Sequence, residues 1–195
     1  MADFEKAYRR TMRIEAGWCN TEGDSGGETF AGVARNYHGN WHGWRIIDAT
    51  KPRCKDIKTL NQALFMNKEL MNMVHEFYKE EFWNVDQLDK FDSQLIAENV
   101  FDAIVNCGLG HGIDFLQKAI NKINPIYKLV VDNKLGNKTF SAMNDTISKL
   151  GEQTVVDAYV DMRIIYHQNI ASKYPSKRKF LNSWLYRCKI MRRAV

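Results

Sequence analysis

Apolar side chains recur at helical spacing along most of this chain. Phe4, Tyr8, Thr11, Met12 and Glu15 fall at i, i+4, i+7, i+8 and i+11, a single stripe that predicts a helix over residues 3–15. At about 100° per residue, Glu15 lies roughly 20° from Phe4 around that helix. Its carboxylate is therefore expected on the face that packs inward, with Gly17 as the stop. Phe30, Val33, Ala34 and Tyr37 form a second short stripe that ends near Gly39. The aromatic, glycine-rich run HGNWHGWR at 38–45 reads as loop. Residues 56–64 and 67–83 read as two further helices. The second carries Leu70, Val74, Phe77, Tyr78 and Glu81 at helical spacing, with Asn67 as its cap.

A polar turn at 86–92 is the best boundary in the pattern, dividing residues 1–90 from 91–195. Ser93 then caps a helix with Ile96, Val100, Ala103, Ile104 and Cys107 on its apolar side. GLGHG at 108–112 breaks it, and Ile113, Leu116, Ile120 and Ile123 mark the next helix. The turn DNKLGNKT at 132–139 leads to a helix near 140–150. A longer one follows through Val155, Val156, Tyr159, Met162, Tyr166 and Ile170, and a last one through Phe180, Trp184, Leu185 and Cys188. No stretch alternates convincingly as a strand, although the glycine-rich loop near residue 26 has room for a small hairpin. The expected fold class is mainly α.

Composition narrows the picture. At 195 residues with 45% hydrophobic content, the chain can bury a substantial core. No apolar run approaches the roughly 18–20 residues of a membrane span. The N-terminus lacks the apolar centre of a secretory signal, so classical export is not expected. The net charge of +5 is concentrated at one end: nine Lys or Arg and no Asp or Glu lie between Met162 and Val195. That end suits either solvent or a polyanion: nucleic acid, anionic lipid or anionic wall. Four scattered cysteines form no metal or disulfide framework.

Most candidate motifs dissolve on inspection. GLGHG follows a helix rather than a strand and lacks the spacing of a dinucleotide fingerprint. His38 and His42 are separated by Gly39 and have no further ligand at metal spacing. No serine has a nucleophile-elbow context. The stretch IEAGWCNTEGDSGGETFAG at 14–32 is different. Glu15 stands where a helix ends, Asp24 follows nine residues later inside the glycine-rich loop, and Thr29 comes five after that. Glycoside hydrolysis usually needs one acid to protonate the leaving oxygen and a second carboxylate to assist attack. The first works best in an apolar setting and the second in a polar one. Two roles stay open on the residues alone: catalysis, or an ion-paired Glu15 (to Arg13 or Arg35) beside a turn-forming Asp24.

Glu15-Ala16-Gly17-Trp18-Cys19-Asn20, Asp24-Ser25-Gly26-Gly27, Thr29 and Gly32 together resemble the signature of glycoside hydrolase family 108. Further on, Phe101-Asp102, Val105-Asn106-Cys107-Gly108, Leu116-Gln117 and residues 132–139 are similar to the peptidoglycan-binding module that closes that family. So are Tyr159, Arg163, Tyr166, Phe180, Trp184 and Arg187. The chain departs from the family at Ala16, where a glycine is usual, at Thr21, Glu22 and Ser25, and at Asn133, which stands for a turn glycine.

The resemblance implies a compact lysozyme-like helical fold, catalytic over 1–90 and peptidoglycan-binding over 91–195, without metal or organic cofactor. It implies an N-acetylmuramidase cutting the β-1,4 MurNAc–GlcNAc linkage, with Glu15 as acid and Asp24 and Thr29 as water-positioning groups. Trp18, Asn20, Tyr37, Trp41, Trp44 and Asn106 are the candidates for holding the sugar. The expected partner is the glycan strand of peptidoglycan, with neither nucleic acid nor stable membrane insertion, and access to the wall is by a route other than a signal peptide. Two rivals remain: a non-catalytic wall-binding or secretion-accessory protein, and a nucleic-acid binder using the basic end.

Overall fold

The computed structural model describes every residue except 16, 22–25, 86 and 194–195. By packing, the chain divides into two units, Thr11–Glu81 and a second formed by Met1–Arg10 with Phe82–Val195.

Helix α1 spans Phe4–Met12 and buries Phe4, Ala7, Arg10 and Thr11. It is shorter than the hydrophobic stripe predicts. At its end the helical ladder tightens into a turn in which the Ile14 N–H donates to Thr11 O at 3.0 Å. Glu15 therefore lies beyond the helix, and its position is set by the following loop rather than by the helical wheel.

The next stripe is not a helix either. Strands β1 (Cys19–Asn20), β2 (Glu28–Phe30) and β3 (Val33–Ala34) form an antiparallel sheet in sequence order. Thr29 lies opposite both Cys19 and Ala34, and Phe30 lies opposite Val33. Two residues join β2 to β3: Ala31 at φ 45° and Gly32 at φ 81°. Positive φ at both central positions suits the twist of a two-residue hairpin loop. The apolar positions of this stretch thus serve a hairpin, with Phe30, Ala31 and Val33 fully buried.

Helix α2 (Gly43–Thr50) begins inside the run expected to be loop and buries Trp44 and Ile47. Helices α3 (Ile57–Met66) and α4 (Lys68–Tyr78) follow the predicted pattern. Asp56 caps α3 by accepting from the Thr59 N–H at 2.7 Å, and Asn67 caps α4 by accepting from Leu70 at 2.9 Å. Each such cap satisfies an amide that the helix itself leaves unpaired. A π-helical turn, Lys79–Trp83, continues α4.

In the other unit, α5 (Gln94–Cys107) starts at its Ser93 cap and is buried without interruption from Leu95 to Ile104. Gly108, at φ 98°, alone separates it from α6 (Leu109–Ile123), so Gly110 and Gly112 are helical rather than part of the break. Helix α7 (Asn137–Leu150) precedes α8 (Glu152–Lys173), and α9 (Leu181–Met191) closes the chain. Helix α8 buries Val155, Val156, Tyr159, Val160, Arg163 and His167 over a broad side. It packs against α5, α6, α7 and α9. Its remaining face, with Thr154, Gln168 and Asn169, is left to solvent. Asn133 takes φ 62°, the left-handed conformation expected of a residue standing for a turn glycine. Gln117 on α6 holds that turn through its carboxamide, donating to Asp132 Oδ1 at 2.8 Å and accepting from the Asp132 and Asn133 amides.

Candidate functional site

The strand pairing returns the two ends of the glycine-rich stretch to one another. Glu15 is half-buried. Its Oε2 lies 3.1 Å from where a Cβ on Gly32 would stand, and the Tyr78 hydroxyl is nearer still. Gly32 thus has both a conformation and a surrounding that exclude a side chain. Tyr78 is buried on α4 and donates its phenolic proton to Ala31 O at 2.9 Å, fixing the hairpin turn beside the carboxylate.

The segment following Glu15 is held by two more contacts. The Trp18 N–H donates to Asn61 Oδ1 on α3 at 2.6 Å, and its indole Nε1–H donates to Glu28 Oε1 at 2.5 Å. The Asn61 carboxamide presses so closely on Gly17 that a side chain there would collide with it. Glu28 also accepts from Lys51 Nζ at 2.5 Å, and its Oε2 forms an ion pair with Arg35 Nε at 2.7 Å. Arg35 goes on to clamp Asp48 through both terminal nitrogens, at 2.6 and 3.0 Å. Arg35 and then Lys51 hold the Asp48 carboxyl below the usual carboxylate range. Arg35 is therefore committed to Glu28 and Asp48.

The other expected site residues are distributed as follows. Thr29, on β2, donates its hydroxyl to Gly27 O at 3.3 Å. Asn20 is exposed on β1, opposite Glu28. Tyr37 (66% exposed) and Trp41 line a recess of about 280 Å³ with His38, Asn40, Phe77 and Glu81. Trp44 is 3% exposed; its Nε1–H donates to His38 O at 2.8 Å, and the Arg35 guanidinium lies 4.2 Å over its ring. It is core packing that supports the neighbouring Trp41, whose ring meets it edge-on at 5.4 Å. Asn106 belongs to the other unit, where its Oδ1 accepts from Arg163 Nη2 at 3.0 Å. Asp24 and Ala16 lie outside the described residues. Among the described residues, no group of three His, Cys, Asp or Glu is placed to hold a metal ion.

Sequence reasoning passed over Tyr78, Asn61 and Glu28. Tyr78 fits an apolar stripe, and nothing in the pattern says where its hydroxyl goes. Asn61 carries no motif. Glu28 did carry a signal, being a charged residue inside the glycine-rich stretch two residues from a core aromatic.

The second unit has its own ionic centre. Asp102 on α5 is fully buried between Arg163 of α8 at 2.6 Å and Arg187 of α9 at 2.8 Å. Burial alone would raise its pKa, but the two guanidiniums outweigh that and hold it below the usual range. Beside it, burial pushes the Cys107 thiol up to about 11. Burial, with repulsion from Arg163 and Arg187, takes His167 down to about 4. These groups therefore stay neutral at neutral pH, and no nucleophilic thiolate arises here. Asp102, Asn106, Arg163 and Arg187, four of the residues similar to the closing module, converge on this one cluster.

A mostly helical body with a small hairpin and a glutamate set against its turn is the architecture of a lysozyme-like glycoside hydrolase. Comparison with known proteins agrees. The family Glycosyl hydrolase 108 matches residues 8–108, and the Predicted Peptidoglycan domain matches residues 111–189. The chain belongs to glycosyl hydrolase family 108, and peptidoglycan is the polymer its second domain points to. Of solved structures, SagA of Brucella abortus is similar with a TM-score of 0.60, covering 98% of this chain and 96% of that one at 20% identity, a likeness of fold. The sequence matches none of the curated proteins. The family boundaries differ from the packing boundaries: the hydrolase match runs on through residues 82–108, which pack in the second unit and include Asp102 and Asn106.

Proposed function

We propose that this protein is an N-acetylmuramidase that hydrolyses the β-1,4 linkage between MurNAc and GlcNAc in peptidoglycan at the cell wall. The observation that carries the reading is the half-buried Glu15 carboxylate against the Gly32 turn, in a chain of this family. In the proposed reaction Glu15 gives its proton to the glycosidic oxygen as the C1–O bond breaks. A water oriented by Asp24 and Thr29 attacks the anomeric carbon and passes a proton to Asp24. Sugar contacts come from Trp18 and Asn20 near the hairpin, and from Tyr37 and Trp41 at the recess. The Predicted Peptidoglycan domain holds the polymer while the first domain cuts. The protein reaches the wall through a membrane pore, through lysis or by a dedicated secretion system.

The test is digestion of purified murein by wild type and Glu15→Gln, with fragments identified by mass spectrometry. New reducing ends on MurNAc from the wild type, reduced about 10²–10⁴-fold in the variant, are the expected result. Equal digestion by both removes Glu15 as the acid. Peptide-bond cleavage removes the muramidase assignment, and sacculus binding without any new reducing end supports a non-catalytic wall-binding protein instead.

A further inference from the structure

The connection between α8 and α9 is a single 3₁₀ stretch, Pro175–Phe180, and every residue from 172 to 180 is exposed. With the last residue of α8 it brings together Lys173, Lys177, Arg178 and Lys179 in seven positions. Among the described residues none of these four cations is paired with a carboxylate, unlike Arg163, Arg187 and Arg192 on the helices either side. The stretch is nonetheless well defined. Arg178 Nε donates to Ala171 O at 3.2 Å, the Lys177 N–H donates to Tyr174 O at 2.9 Å, and the Phe180 ring packs 5.9 Å from Trp184.

Two aromatic residues are interleaved with the cations, Tyr174 at 45% and Phe180 at 44% exposure. Lys173 and Lys177 lie over the Tyr174 ring at 5.3 and 5.7 Å, and Lys179 lies over Phe180 at 4.9 Å. The combination selects among polyanions. A soluble wall polymer offers charge but no apolar layer in which the rings gain by leaving water. A single-stranded nucleic acid stacks its bases on free ring faces, and here ammonium groups already lie over the rings. An anionic bilayer satisfies both components, with phosphates for the cations and the headgroup–acyl boundary for the rings.

We infer that the Lys173–Phe180 turn is a peripheral docking surface for an anionic phospholipid bilayer. It is independent of how the hydrolase site works. No helix of the described residues is long and apolar enough to cross a membrane, so attachment is at the interface.

The experiment is sedimentation of the full chain with vesicles of phosphatidylcholine and phosphatidylglycerol in equal parts, against pure phosphatidylcholine. Binding to the anionic vesicles alone, falling as salt is raised, is expected. Each neutralised cation should weaken it about fivefold, so the combined K173Q, K177Q, R178Q and K179Q variant loses roughly a hundredfold or more. Tyr174→Ser with Phe180→Ser should weaken vesicle binding but spare binding to soluble polyphosphate. A circular dichroism spectrum matching wild type confirms that the combined variant folds; otherwise Lys177→Gln alone carries the test at about fivefold. Equal binding to neutral vesicles, wild-type binding by the substituted protein, or tighter binding of duplex DNA than of vesicles overturns the inference. So does a parallel loss of sacculus and vesicle binding, which would make the turn a polymer contact.

Discussion

Each unit is organised around one carboxylate shared by two cations, and the two carboxylates do different work. Asp102 and its partner Arg163 are wholly shielded from water, and Arg187 is nearly so. Glu28 is almost as buried, but its partners Arg35 and Lys51 are about a third exposed, and Asp48 beyond them is half exposed. Taking a charge out of water costs several kcal/mol, recovered only by complete pairing. The Asp102 cluster is therefore all-or-none, a clamp joining α5, α8 and α9. The Glu28 network can relax into solvent, so its worth lies in placing the Trp18 indole, and with it the segment carrying Glu15.

Removing the dry carboxylate should give the largest effect on stability. Asp102→Ala leaves two buried guanidiniums without a counter-ion and should cost about 3–5 kcal/mol in urea unfolding. A cost under 1 kcal/mol would mean that water reaches the cluster, and the contrast would fail.

The same dryness predicts an acid limb. His167 has its pKa lowered to about 4 from an ordinary 6.5. Above pH 6.5 it is neutral both folded and unfolded, and contributes no pH dependence. Between 6.5 and about 4 the unfolded chain takes up a proton that the folded chain refuses, so stability falls as pH falls. Below about 4 both states are protonated and the loss stops. The total is about 3 kcal/mol, and His167→Phe should flatten that part of the stability–pH curve. An unchanged curve would show that the imidazole is hydrated after all.

The smallest expected effect on stability sharpens the other side. Glu28→Gln should cost about 1 kcal/mol, because its partners keep solvent. Murein digestion should fall about tenfold or more, since small misplacements near a reacting group are costly. Stability falling as far as in Asp102→Ala, with specific activity unchanged, would make Glu28 a second clamp rather than a positioning residue.

The helices from α3 onward were legible from periodicity and caps, because Asn67 and Ser93 announce helix starts that local hydrogen bonds then enforce. The N-terminal stretch was harder. Phe30, Val33 and Ala34 satisfy a helical stripe, but the left-handed pair Ala31–Gly32 converts them into a hairpin, and tertiary pairing outweighs the weak local preference. Glu15 was singled out by its place in the glycine-rich stretch. Its surroundings were not foreseeable, because they come from Gly32 and Tyr78, 17 and 63 positions away. Trp44 shows the converse: an aromatic in a promising loop whose burial only the packing of α2 reveals.

The second unit begins with the first residues of the chain and is completed by the last. Arg10 on α1 pairs with Glu98 at 2.6 Å, donates to Ile190 O at 3.1 Å and also reaches Arg193 O. During synthesis the helix meets Trp83, Gln94 and Glu98 only about 80 to 90 residues later, and its last partners, the carbonyls of Ile190 and Arg193, only when α9 has been made. The stretch Thr11–Glu81 is contiguous in sequence, so the contacts within it need nothing that is made later. A chain stopped before residue 190 would hold every residue of the Thr11–Glu81 unit but lack the two carbonyls that receive Arg10.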